Sequence, residues 1–152
     1  MPIVDVMDLR LVRVAPQDSV QTAIGRMLEE NVGSVAVCEG PRIVGIFTER
    51  DVLRLAGRRA RFDEVPVADV MTTRLVAVSP DDEILAAARL MGEHRVRHLP
   101  VIEDENLLGI VGIRDVLAAL VEQVWRTQDA QAQKTVRQLL GGMTQSGQTA
   151  SR

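Results

Sequence analysis

The stretch Gly45-Ile46-Phe47-Thr48-Glu49-Arg50-Asp51-Val52-Leu53 returns 64 residues later as Gly109-Ile110-Val111-Gly112-Ile113-Arg114-Asp115-Val116-Leu117. Working outward at the same offset, Val6-Met7 meets Val70-Met71, and Arg10, Pro16, Met27 and Val37 meet Arg74, Pro80, Met91 and Val101 without a gap. The 152-residue chain is therefore one unit of about 60 residues written twice. So short a unit buries too little surface to be stable alone, and the two copies are expected to pack on each other.

Each copy opens on a β-branched run, Leu11 to Val14 and Leu75 to Val78, which reads as a strand. A helix follows. Val20, Ala23, Ile24, Met27 and Leu28 recur at spacings of three and four, as do Ile84, Ala87, Ala88 and Met91, so each set forms one buried stripe. In the second copy Ser79 is expected to cap this helix, with Pro80 in its first turn. Asp81, Asp82 and Glu83 there complement the positive end of the helix dipole and carry no chemistry. Val35 to Cys38 with Ile43 to Phe47, and Leu99 to Ile102 with Leu107 to Ile113, are apolar runs split by polar turns, which makes each pair a hairpin. A second helix starts near Glu49 and again near Ile113. The order per unit is strand, helix, strand, strand, helix.

Composition narrows the function classes. A net charge of -3 and a pI near 5.4 supply no broad cationic field for a phosphate backbone, so no nucleic-acid partner is expected. The single cysteine, Cys38, excludes an intrachain disulfide and sits in an apolar run that suits a buried, inert thiol. No apolar stretch approaches the roughly 18 residues of a membrane span, and the amino terminus lacks a secretory pattern, so a cytoplasmic location without membrane contact is expected. Neither His94 nor His98 has companion ligands at helical or hairpin spacing, and no metal site is expected. There is no nucleophile with a paired base and no Walker-type glycine loop, so the chain does not read as an enzyme.

The duplicated order, with Val-Met opening each unit, Val70-Met71-Thr72, Arg97-His98-Leu99-Pro100-Val101-Ile102, and Gly45 through Leu53, resembles the CBS domain family over about residues 5 to 120. The fold class implied is α/β (α+β): two tandem β-α-β-β-α CBS units packed as a pseudo-two-fold pair, with a C-terminal helical extension. The units are expected at 5–60 and 69–124, joined by a charged linker at 61–68, with 125–152 a helical extension ending in a disordered tail. The resemblance also implies that the cleft between the units binds an adenosyl ligand, that the pair associates further, and that it regulates an enzyme, channel or transporter.

Physical reasoning points to the same place. Thr48 and Asp51 stand three apart at a helix start, so both side chains face one side of its first turn. A carboxylate there can accept hydrogen bonds from two adjacent ribose hydroxyls. Arg97, His98 and Arg114 supply the positive charge that a phosphate needs, and the resemblance sets them across the pair from Asp51. The base needs an apolar slot, and for it the family resemblance points to Ile46, Met71, Thr72, Val76 and Val96. The halves are unequal: Gly112 stands where Thr48 does, and Gly33-Ser34 stand where Arg97-His98 do. One good site is therefore expected on Asp51, and a weaker one on Asp115 with Arg50, Ile110, Met7 and Val12.

The expected function is a regulatory module that binds AMP, ADP or ATP as a ligand, with no cofactor, and signals to a partner protein that the sequence does not name. The alternatives are a dimeric scaffold or adaptor without significant nucleotide affinity, or a sensor of S-adenosylmethionine. A homodimer is expected through the helical stripes at Val20, Ile24 and Met27, at Ile84, Ala88 and Met91, and at Leu117, Leu120 and Val124.

Overall fold

In the computed structural model, which describes residues 1–127 and 129–145, the first copy builds β1 (Arg13–Val14), α1 (Val20–Glu30), β2 (Ser34–Glu39), β3 (Arg42–Thr48) and α2 (Glu49–Gly57). The second builds α3 (Ile84–His94), β4 (His98–Glu103), β5 (Asn106–Gly112) and α4 (Ile113–Arg126). The opening strands are shorter than the apolar runs suggest. Only Arg13 and Val14 pair, parallel to β2, and the second copy keeps a single parallel bridge between Val78 and Val101. Pro16 and Pro80, two residues beyond, have no N–H with which to carry the pairing on.

The first helices start at equivalent positions, Val20 and Ile84, but are capped differently. Ser19 caps α1, its hydroxyl accepting from the Thr22 N–H at 3.1 Å. In the second copy Ser79 does not cap the helix, which begins only at Ile84. The Ser79 N–H instead donates to the Asp82 carboxylate at 2.8 Å, closing a turn ahead of it. An antiparallel bridge between Pro2 and Glu83 holds Glu83 extended, at φ -78° and ψ 144°, as one between Pro66 and Ser19 holds Ser19 extended in the first copy. The acid cluster thus has turn and pairing duties, with Glu83 meeting the Met1 ammonium at 2.6 Å.

These bridges belong to an exchange of arms. Ile3 is fully buried, but among core residues of the second unit, and its N–H donates to Asp82 O at 2.8 Å. Its repeat partner Val67, also fully buried, packs in the core of the first unit and donates to Asp18 O at 2.8 Å. Each unit is completed by the segment that precedes the other. Between the two cores, the hairpins meet at Arg42 opposite Asn106, which joins them into a five-stranded sheet of order β1-β2-β3-β5-β4. Ala36, Cys38, Ile43 and Leu107 fill this seam, and burial pushes the Cys38 thiol above its usual pKa.

Helix α5 (Ala130–Gln145) folds back on α4, with the Arg137 guanidinium 4.9 Å above the Trp125 ring. The C-terminal extension therefore holds a helix that runs through Gly141 and Gly142, where the sequence pattern suggests a frayed end. A glycine in a helix costs only about 1 kcal/mol relative to alanine, which does not stop a helix of 16 residues. The expected disordered tail, over 146–152, lies outside the described residues. Among the described residues no helix is long and apolar enough to cross a membrane.

Candidate functional site

A cavity of about 450 Å³ opens between the two units. The start of α2 forms one wall. Gly112 and Thr48 both precede an aspartate by three residues, but only Thr48 has a hydroxyl to offer. Asp51 accepts from the Thr48 N–H at 2.9 Å and from the Thr48 hydroxyl at 3.3 Å, both through Oδ2. Its Oδ1 stands 3.9 Å from the Arg54 guanidinium, beyond hydrogen-bonding distance. Asp51, a residue only 8% exposed, thus keeps one carboxylate oxygen for a ligand hydroxyl. In the second unit the Gly112 N–H reaches Asp115 Oδ2 at 3.2 Å, but that aspartate is exposed.

The opposite wall comes from the second unit. Val76, Val96, Arg97 and His98 line it, and Ile46 and Thr72, which line it too, join the units through a reciprocal backbone pair at 3.0 and 2.9 Å. The left-handed Arg95, at φ 54°, ends α3 and turns the chain so that Val96, Arg97 and His98 run along the cavity. Gly33 provides the room: a Cβ built there would lie 3.1 Å from His98 Cε1 and 3.3 Å from Glu49 Cδ. Burial pushes the His98 imidazole below its usual pKa; Glu49 and Asp115 pull the other way, and Arg97 adds to the lowering. The ring is therefore uncharged near neutral pH.

Thr48, Asp51, Ile46, Thr72, Val76, Val96, Arg97 and His98 are thus brought to one cavity. Two of the expected residues are not. Met71 packs over Gly45, where any Cβ would sit 2.4 Å from its sulfur, and does not line the cavity. Arg114 lies on the first turn of α4 and does not line it, because the repeat places it where Arg50 stands in the other half. Of the residues expected for a weaker second site, Met7 and Ile110 lie together, in the place that Met71 and Ile46 take in the other half. Arg50 lines the first cavity, Val12 is buried in the core of the first unit, Met7 packs beside Gly109, and Ile110 pairs with Asp8.

Sequence reasoning missed Arg54, Arg74, Arg95 and His94, all of which line the cavity. Arg54 falls one turn beyond Arg50 on the same helix and was legible by spacing. Arg74 and Arg95 sit in irregular backbone, and only the assembled pair brings them near α2.

The family model of the CBS domain matches residues 3–58 and 67–122. A CBS domain-containing protein of Bacillus subtilis (strain 168) is 34% identical over 112 residues, covering 74% of this chain and 80% of that protein. The crystal structure of a CBS-domain containing protein from Agrobacterium tumefaciens is similar at a TM-score of 0.72 and 31% identity, over 79% of this chain and 99% of that one. A CBS domain protein from Pyrobaculum aerophilum, complexed with AMP, shares the fold at a TM-score of 0.73 and 22% identity, over 80% and 99% of the two chains.

Proposed function

The chain belongs to the CBS domain family as a tandem pair, and from that premise we propose that it is a non-catalytic regulatory module binding AMP, ADP or ATP between its units. The observation that carries the reading is the single cavity that sets the Thr48 and Asp51 pair of one unit against Val76, Val96, Arg97 and His98 of the other. The free oxygen of Asp51 accepts from ribose hydroxyls, Ile46, Val76 and Val96 enclose the base, and Arg97 meets phosphate. Binding across the cavity ties the units together. A ligand that holds both halves favours whichever relative placement it bridges, and a partner protein that senses that placement reads its presence. The AMP held by the Pyrobaculum protein is in keeping with this ligand class.

The module also acts as a homodimer in this reading, located in the cytoplasm, with the exposed leucines of its helices at the interface. Calorimetry with the full chain tests the ligand. Asp51→Ala weakens nucleotide binding by about 1.5 to 3 kcal/mol, the loss of charge-assisted hydrogen bonds, and Asp115→Ala changes it little. Equal losses from both substitutions overturn the assignment of the site to Asp51. An absence of binding by the unaltered chain favours a scaffold without nucleotide affinity.

A further inference from the structure

Five arginines line the one cavity, Arg50 and Arg54 from α2 and Arg74, Arg95 and Arg97 from the second unit, against two carboxylates, Glu49 and Asp51. All five are exposed residues, while Ile46, which also lines the cavity, is buried. Little of this charge is neutralised. Arg54 stands 3.9 Å from Asp51 and Arg50 donates to the Arg95 carbonyl at 3.5 Å, and Arg74, Arg95 and Arg97 form no ion pair among the described residues.

The duplication supplies an internal control. At the 64-residue offset the five arginines correspond to Arg114, Ala118, Arg10, Asn31 and Gly33. Of the two arginines that remain, Arg10 is held by Asp8 at 2.7 Å. The repeat unit thus folds with its arginines at positions 54, 95 and 97 replaced, which removes any need for them in the architecture. Their concentration in one cleft of a chain whose net charge is -3 marks a ligand carrying more negative charge than one phosphate brings.

We infer that this cavity selects adenosine polyphosphates, ADP and ATP, over AMP, with Arg54, Arg74 and Arg95 engaging the phosphates beyond the first. The inference rests on the adenine-nucleotide reading of the site and narrows it. Guanidinium groups bind successive phosphates through planar two-point contacts, which a single phosphate near Arg97 cannot share with all five. S-adenosylmethionine is disfavoured for the same reason, since its sulfonium adds positive charge to a cavity already rich in it.

Titration of the full chain with adenosine, AMP, ADP, ATP and S-adenosylmethionine by calorimetry, at low and at high salt, tests this. ATP is expected to bind at least tenfold more tightly than AMP at low salt, and the advantage shrinks as salt rises because the arginines are exposed. In the Arg74→Ala, Arg95→Ala double variant the ratio of ATP to AMP affinity falls to within threefold, with adenosine binding reporting that the cavity is intact. AMP and ATP binding the unaltered chain within threefold of each other overturns the selectivity while leaving the adenine site standing. S-adenosylmethionine binding more tightly than ATP overturns it as well. Failure of adenosine, AMP and ATP alike overturns both the site and the inference drawn on it.

Discussion

His98 sits at the junction of the units, against Gly33 and Glu49, and its state follows from burial. The folded chain holds the imidazole neutral to a lower pH than the unfolded chain does, where its pKa is near 6.5. Its contribution to stability is therefore fully present above about pH 6.5 and is lost as pH falls from there toward the lower folded value, because the unfolded state takes up the proton first. Stability measured by chemical denaturation between pH 7.5 and roughly 5 should fall less steeply in His98→Gln than in the parent chain. Parallel curves would show that His98 is not desolvated as the structure has it. The sequence located His98 at the mouth of a strand but not its charge, because the burial that lowers its pKa arises only where the folded units pack, beside Gly33, which is distant in the chain.

The arms at Ile3 and Val67 show how an element can be legible while its partner is not. Their equivalence follows from the 64-residue offset, yet nothing in either segment says that it serves the other unit. Ile3 is fully buried among Val78, Ile84 and Leu99, whereas its neighbour Val4 is 44% exposed. Ile3→Ala should cost about 2 to 5 kcal/mol, the usual range for emptying a buried isoleucine site, and Val4→Ala less than about 0.5 kcal/mol. Urea denaturation monitored through Trp125 or by circular dichroism measures both. A loss at Ile3 no larger than that at Val4 would mean that the arm is not docked on the second unit. Helix starts divide in the same way: the Ser19 cap of α1 is local chemistry, but the bridges that hold the residue before each helix extended, Pro66 to Ser19 and Pro2 to Glu83, join segments 47 and 81 positions apart in the chain.

For the whole molecule the question is which apolar surface remains. Val20, Met27, Ile84 and Met91, expected at a dimer interface, are buried within their own units and are not available to a second copy. Each of the four helices of the repeats instead exposes a leucine, Leu28, Leu53, Leu85 and Leu117, at 76, 73, 64 and 53%. Such residues in number on a small protein favour association, and closed two-fold pairing is its commonest form. Sedimentation equilibrium at micromolar concentration should give twice the 16.7 kDa chain mass. Leu28→Glu with Leu117→Glu should lower it to one chain without unfolding it, since neither residue belongs to a core. A monomeric parent chain over that range would remove the dimer from the proposal.

By itself the sequence determined the duplication, the order of elements in each unit, the apolar stripes, and the pairing of Thr48 with Asp51, because each depends on contacts within a few turns or on a fixed offset. The unequal halves were legible too, since Gly112 for Thr48 and Gly33 for Arg97 are differences that can be read off the repeat. Only the tertiary structure decided that the arms cross between units, that Arg50 and not Arg114 lines the cavity, and that Arg54, Arg74 and Arg95 join it. Those outcomes depend on how two small units share one buried seam, and the chain records that only in the sum of contacts between residues far apart along it.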